Sequence, residues 1–335
     1  MSALELHDVV VEYERRGQEP IRAVAGASIA VDRGRIVGLV GESGCGKSTL
    51  ARAAVGMVAP AAGAVRFEGH TVRPLGRGMR ARDLVRLQLV FQNPFSSLNP
   101  RRRIGEQIGE ALFVLGVGRR SERSRRVAEL LEQVGLPAAA AGRYPHEFSG
   151  GQRQRVAIAR ALAAEPAVIV LDEPLASLDA SAQAQIANLL STLARELELG
   201  LLLISHDLAI VRHVADTVAV MYLGRIVETA PTSALWETPL HPYTEALIGA
   251  VPRADGAGTL PTALPGEVPV PSRPPAGCRF HPRCPYALAR SRAEEPTLVE
   301  VAPGREVACW LHLPGEPPAP PSEKAARLAR QAAPG

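Results

Sequence analysis

The sequence predicts an α/β fold in which buried parallel strands alternate with helices, followed by a small proline-rich extension. Three observations carry this. Three short apolar runs, Ile36–Val40, 168–171 and 201–204, each end in polar residues. Strands of a parallel sheet, covered on both faces, look like this, and open α/β sheets place ligands at those C-terminal ends. Between them lie Ala/Leu-rich stretches such as 182–197 that suit helices. The prolines are uneven: nine fall in residues 1–230 and twenty in 231–335. Proline removes a backbone donor and clashes inside a helix, so the second segment holds no long helices and a boundary falls near residue 230.

A chain of 335 residues suggests two domains. Apolar residues are 46% and charged residues 21%, a globular balance. Aromatics at 4% leave little material for base-stacking platforms, and a net charge of +4 is mild. The arginine-rich stretches at 101–103 and 119–126 are interspersed with Glu106, Glu110, Glu122 and Glu129. They read as solvated faces, and no nucleic acid is expected. No apolar run approaches the roughly 20 residues of a membrane span, and the start, Met1 to Glu5, lacks the basic opening of a signal peptide. The expectation is a cytosolic chain, held at a membrane only by partners. No internal repeat is visible.

Element by element, 4–13 partly alternates and suits a half-buried strand. Next comes the strand Ile36–Val40, then Gly41-Glu42-Ser43-Gly44-Cys45-Gly46-Lys47-Ser48, then a helical stretch at 49–55. This is G-x-x-x-x-G-K-[ST] in the context it requires. Glycines allow the tight turn, amides and the helix N-terminus face an anion, Lys47 would bridge β- and γ-phosphates, and Ser48 would ligate Mg²⁺. Only Lys47 and Lys324 are lysines, against 36 arginines. A compact ammonium was retained where a planar fork would not serve. Cys45 reads as a small filler. At the end of 168–171 come Asp172, a Mg²⁺ ligand, and Glu173, placed to polarise the attacking water. A helix is expected over 152–164, with Val156, Ala159 and Ala163 on one face. A hairpin is expected from 218–222 and 226–229.

Phe148-Ser149-Gly150-Gly151-Gln152 resembles the signature of ATP-binding cassette (ABC) proteins, with Phe in place of the usual Leu. Other cassette elements stand in order. Tyr13 resembles the adenine-stacking aromatic, Gln92 the glutamine that senses Mg²⁺ and water, and His206 the switch histidine at the γ-phosphate. Ala176-Ser177-Leu178-Asp179 resembles the D-loop with its first two residues exchanged. The resemblance spans roughly 4–230. It implies a P-loop NTPase cassette with a mixed-sheet core and a helical subdomain at about 93–165. It also implies ATP contacts from Tyr13, from the whole loop 41–48, from Thr49, Ser149, Gly150, Gly151 and Gln152, and from Asp179. Catalysis would rest on Glu173, His206 and Gln92, with Mg²⁺ on Ser48, Gln92 and Asp172. Two cassettes would close head-to-tail over two ATP molecules, Ser149 and its glycines meeting the γ-phosphate held by the other.

Residues 91–101 resemble the corresponding segment of oligopeptide and dipeptide importer ATPases, as do 239–247 and 277–285. This implies an ATPase subunit at the cytoplasmic face of a bacterial plasma membrane. Its partners would be two transmembrane permease subunits, whose coupling helices would meet the helical region between Gln92 and Ser149, a second homologous ATPase, and an extracellular solute-binding protein. The alternative is a soluble regulatory or nucleic-acid-associated cassette ATPase. The extension would occupy 231–313, with 252–277 an extended connection and 314–335 a disordered tail. Some members of the subfamily hold a 4Fe–4S cluster on four cysteines. Cys278, Cys284 and Cys309 are present, and Ser291 stands where the fourth would be. A cluster, zinc with His281 or His312, and three packed reduced thiols all remain open.

Overall fold

The computed structural model describes residues 2–15, 17–76, 80–81, 83–92, 97–251 and 266–313. The segment 93–96, most of the expected 252–277 connection and the expected tail 314–335 lie outside the described residues.

The chain opens with an antiparallel pair, β1 (Ser2–Arg15) and β2 (Gln18–Asp32). Strand β3 (Ile36–Val40) and α1 (Lys47–Ala54) flank the glycine-rich loop. Strands β4 (Ala62–Phe67) and β5 (His70–Thr71) join the first pair in a four-stranded sheet, order β2-β1-β4-β5. After β6 (Leu87–Val90) come the helices α2 (Ile104–Val114), α3 (Arg120–Gln133) and α4 (Gly150–Leu162). Then β7 (Val168–Asp172), α5 (Ala180–Glu196), β8 (Gly200–Ile204) and α6 (Leu208–Val214) alternate. The hairpin β9 (Thr217–Tyr222) and β10 (Arg225–Pro231) turns on Leu223-Gly224. The last part holds α7 (Thr232–Glu237), α8 (Pro242–Gly249), α9 (Ala289–Ala293), β11 (Val299–Ala302) and β12 (Arg305–Val307).

The main sheet has eight strands in the order β11-β12-β10-β9-β3-β8-β7-β6. Strands β3, β6, β7, β8 and β9 run parallel, while β10, β11 and β12 are antiparallel, so the sheet is mixed as expected. Its central strands are buried on both faces. Ile36, Ile169, Leu171, Leu201 and Leu203 face one apolar cluster, together with the helices of the 104–162 region. Val37, Leu39, Val168, Val170, Leu202 and Ile204 face a second, with α1 and the four-stranded sheet. The period-2 alternation splits one continuous apolar run between two cores.

Among the described residues, the extension builds no core of its own. Strand β12 pairs with β10 and so prolongs the main sheet, and Trp236, Tyr243, Leu247, Ile248 and Phe280 join the first cluster. Its longest helix among those residues is the eight-residue α8, in keeping with the proline content. The long β2 was not anticipated: Arg22, Gly26 and Ser28 blur its alternation. No helix among the described residues is long and apolar enough to cross a membrane.

Candidate active site

The site forms where β3, β7 and β8 end side by side. Their parallel register places Leu39 beside Ile204, and Ile204 beside Asp172. The loop after each strand therefore opens at one edge. After β3, Gly41 and Gly46 have φ of 154° and 108°. A Cβ at Gly46 would lie 2.2 Å from the Ala23 carbonyl oxygen, and one at Gly41 2.1 Å from that of Met221. Only glycine lets the loop press against β2 and β9 this closely. Lys47 is buried and donates from Nζ to the carbonyls of Gly41 at 2.7 Å and Glu42 at 2.9 Å. Its ammonium is thus aimed back over the loop. Thr49 lies in the first turn of α1, within reach of Tyr13, whose hydroxyl donates to Thr49 Oγ1 at 3.4 Å. Tyr13 keeps 39% of its surface exposed.

Ser48 Oγ donates to Asp172 Oδ1 at 2.8 Å across the β3–β7 gap. Burial raises the Asp172 carboxyl above its usual range, and the Ser48 bond partly offsets this. A hydroxyl and a desolvated carboxylate side by side are hard oxygen donors of the kind Mg²⁺ prefers, so the donor set fits that ion. Next to it, Glu173 adopts φ 47°. Its amide donates to Ile204 O at 3.0 Å, which anchors the strained residue to β8 and turns its side chain toward two others. Gln92 Nε2 donates to Glu173 Oε2 at 3.1 Å, and His206 Nδ1 stands 3.3 Å from the same oxygen. A left-handed non-glycine residue costs energy. Here it gathers three groups from positions 92, 173 and 206.

The remaining candidates stand apart. Ser149 is the N-cap of α4: its Oγ accepts from Gln152 N, and Gln152 Oε1 accepts from Ser149 N. This capping box fixes the loop and leaves the helix N-terminus facing outward. A Cβ at Gly150 would meet Leu178, and one at Gly151 would meet Ala182, so the signature residues pack on the 176–182 segment. There Asp179 caps α5 by accepting from Ala182 N. Among the described residues, the side chains of Ser149 and Gln152 bond only within their own cap.

The model for ABC transporters matches residues 24–176, and that for the oligopeptide/dipeptide transporter C-terminal region matches 227–290. A probable peptide ABC transporter ATP-binding protein of Sinorhizobium fredii is 50% identical over 88% of this chain and 84% of its own length. The di/tripeptide transport ATP-binding protein DppF of Pseudomonas aeruginosa is 47% identical over 88% of this chain and 91% of its own. The chain belongs to the ABC transporter ATP-binding proteins. Among solved structures, a dimeric ATP-binding cassette in a post-hydrolysis state with ADP and Pi matches with a TM-score of 0.60 and 28% identity, covering 68% of this chain and 98% of that one. The cassette cbiO1 of Clostridium perfringens matches with a TM-score of 0.60 and 26% identity, covering 70% and 90%. The protein is therefore an ATP-binding ABC ATPase, and its fold is the cassette.

In this ABC ATPase the extension reaches the phosphate loop, which the sequence did not announce. Glu42 N donates to the Tyr243 hydroxyl at 2.8 Å, and Arg283 donates to both Glu42 carboxylate oxygens at 2.7 and 3.0 Å. The two partners lie 201 and 241 positions away in sequence, too far for any motif spacing to signal. Nearby, Cys278, Cys284, Ser291 and Cys309 line one cavity of about 20 Å³. Burial pushes the Cys284 thiol up to about 11 and Cys309 up to about 12, and raises Cys278 as well. Ser291 Oγ accepts from Leu288 N, and the rings of His281 and His312 bond the carbonyls of Cys278 and Leu240. Among the described residues no group of three or more His, Cys, Asp or Glu is arranged to hold a metal ion. Three thiols and a serine hydroxyl are one thiol short of the four cysteines that hold a 4Fe–4S cluster.

Proposed function

We propose that the chain is the ATP-hydrolysing subunit of a bacterial peptide-type importer, bound at the cytoplasmic face of the plasma membrane. The observation that carries the importer reading is the match of 227–290 to the oligopeptide/dipeptide transporter region, on a chain whose relatives are named for peptide transport. The domain division follows it: a cassette over 1–230, with a helical subdomain at about 93–165, and an extension over 231–313.

The amides of 44–49 and the Lys47 ammonium would cradle the phosphates, with Tyr13 against the adenine. Ser48, Asp172 and Gln92 would hold Mg²⁺, which supplies charge neutralisation at the β- and γ-phosphates when bound. Glu173 would take the proton of the attacking water, with Gln92 and His206 fixing its carboxylate. Ser149, Gly150, Gly151, Gln152 and Asp179 would complete the site of a partner cassette, because their anion-binding helix end faces outward. We take that partner to be a second, homologous ATPase. With Ser291 standing where a fourth cysteine would be, we read Cys278, Cys284 and Cys309 as packing rather than as a 4Fe–4S or zinc site. Metal analysis of anaerobically purified protein tests this, and stoichiometric iron or zinc would reverse it.

Two permease subunits would dock on the helical region. A groove of about 420 Å³ runs between β6 and α2, lined by Gln88, Phe91, Arg102, Gln107 and Arg160. At its rim Phe113 and Val114 are 65% and 63% exposed at the end of α2. An extracellular solute-binding protein would deliver the cargo. Co-expression with the permease subunits of a peptide importer should move the chain to the membrane fraction. Recovery of the chain in the soluble fraction under those conditions would favour the regulatory alternative.

A further inference from the structure

Glu42, the second residue of the phosphate loop, has all three of its polar groups engaged. Its carbonyl accepts from Lys47 Nζ at 2.9 Å, its amide donates to Tyr243, and its carboxylate accepts a two-pronged pair of bonds from Arg283. The Arg283 side chain is 3% exposed and that of Glu42 19%. A planar guanidinium on a carboxylate fixes direction as well as distance. Arg283 is itself held: its Nη1 donates to the Tyr222 hydroxyl at 3.4 Å, and its guanidinium lies 5.9 Å from the Tyr222 ring centre. Tyr243 is fully buried, with Tyr222 and Phe280 rings 4.6 and 5.4 Å away. Both grips are therefore rigid.

Packing of the extension on the cassette would not require this contact point. It falls on the one loop whose conformation decides phosphate binding, at a residue whose carbonyl, with that of Gly41, holds the Lys47 ammonium. A glycine-rich loop samples many conformations, and apparent affinity scales with the fraction in the binding form. We propose that Arg283 and Tyr243 are positioning residues for the phosphate loop. Acting through Glu42, they hold it ready for phosphate, so the extension sets the affinity of the cassette for ATP. This rests on the reading of 41–49 as the nucleotide site.

The test uses the full chain. Equilibrium ATP binding is measured on a Glu173→Gln background, and KM and kcat on the chain with Glu173 intact, paired with its partner ATPase. Arg283→Met should weaken ATP binding by about tenfold and raise KM, with kcat at saturating ATP within about twofold. Arg283→Lys should recover part of the affinity, and Tyr243→Phe should lose severalfold, since the Glu42 amide then lacks its acceptor. In Glu42→Gln, adding Arg283→Met should change little more, because the two act as one unit. Losses that simply add, or unchanged affinity in Arg283→Lys and Tyr243→Phe, overturn the proposal even if Arg283→Met fails to fold. Lys47→Ala separates the two readings. If it abolishes binding while Arg283 and Tyr243 variants bind normally, only the positioning role fails. If Lys47→Ala binds ATP normally, the nucleotide site itself is misassigned.

Discussion

Glu173 stands where three strand-end loops meet, and its left-handed backbone is the local cost of that convergence. Glu173→Gln keeps the shape and the Gln92 contact but removes the proposed base. ATP turnover should fall by at least about a hundredfold while ATP binding persists, seen as retained nucleotide in a filter-binding assay. Gly46 supports the opposite expectation. Its φ of 108° and the Ala23 carbonyl 2.2 Å from a would-be Cβ leave no room for a methyl group. Gly46→Ala should displace the loop and weaken ATP binding by more than about tenfold, with strain of about 1–3 kcal/mol appearing in thermal unfolding. The residues that touch nucleotide in the proposed site were legible because each belongs to a short, spaced motif. Arg283 and Tyr243 were not, because their partner lies more than 200 positions away and neither stands in a pattern that points to a phosphate loop.

At the scale of the element, α8 shows how buried polar groups place a functional contact. Glu228 on β10 is fully buried and accepts from the amides of Leu240 and His241 at 2.9 Å each. His241 Nδ1 then accepts from Tyr243 N at 3.0 Å and caps the helix. The helix so begun carries Tyr243 to the phosphate loop. Burial lowers His241 from 6.5 to about 3, with His312 adding to the effect. The folded protein keeps this ring neutral while the unfolded chain takes up a proton below pH 6.5. Stability is therefore fully present above pH 6.5 and is lost as pH falls toward about 3, by about 1.4 kcal/mol per pH unit. His241→Asn retains a capping acceptor without titration. Its stability deficit relative to the parent protein should shrink as pH drops from 7.5 to 5 in urea unfolding. A constant deficit would show that the ring is not the titrating group.

For the whole molecule, the proposed role of the signature residues calls for a second cassette to complete the site. Ser149→Arg adds bulk and charge at the outward helix end while leaving the Lys47 loop untouched. ATP-dependent association with the partner ATPase, followed by size-exclusion chromatography with Glu173→Gln present, should disappear, and ATP binding to the single chain should remain. Phe113→Asp places a charge in the exposed apolar rim of α2. Recovery of the chain with its permease on membranes should fall severalfold while soluble ATPase activity is kept, because buried unpaired charge is costly at an interface.

The sequence by itself determined the cassette: the β3, β7 and β8 runs, the phosphate loop, the acids at 172 and 173 and the Ser149 cap are all local patterns. In such patterns the chemistry and the backbone requirement coincide in a few adjacent residues. Its prolines also set a proline-poor stretch up to 230 apart from a proline-rich one after it. Tertiary structure alone decided where the extension packs. Its apolar residues are too few and too scattered to form a core, so they were free to pack anywhere. Burial of Trp236, Tyr243 and Phe280 in the cassette's own cluster, with β12 added to its sheet, is what carries Arg283 to Glu42. Long-range pairing of this kind depends on which surfaces the fold brings together, and no spacing along the chain records it.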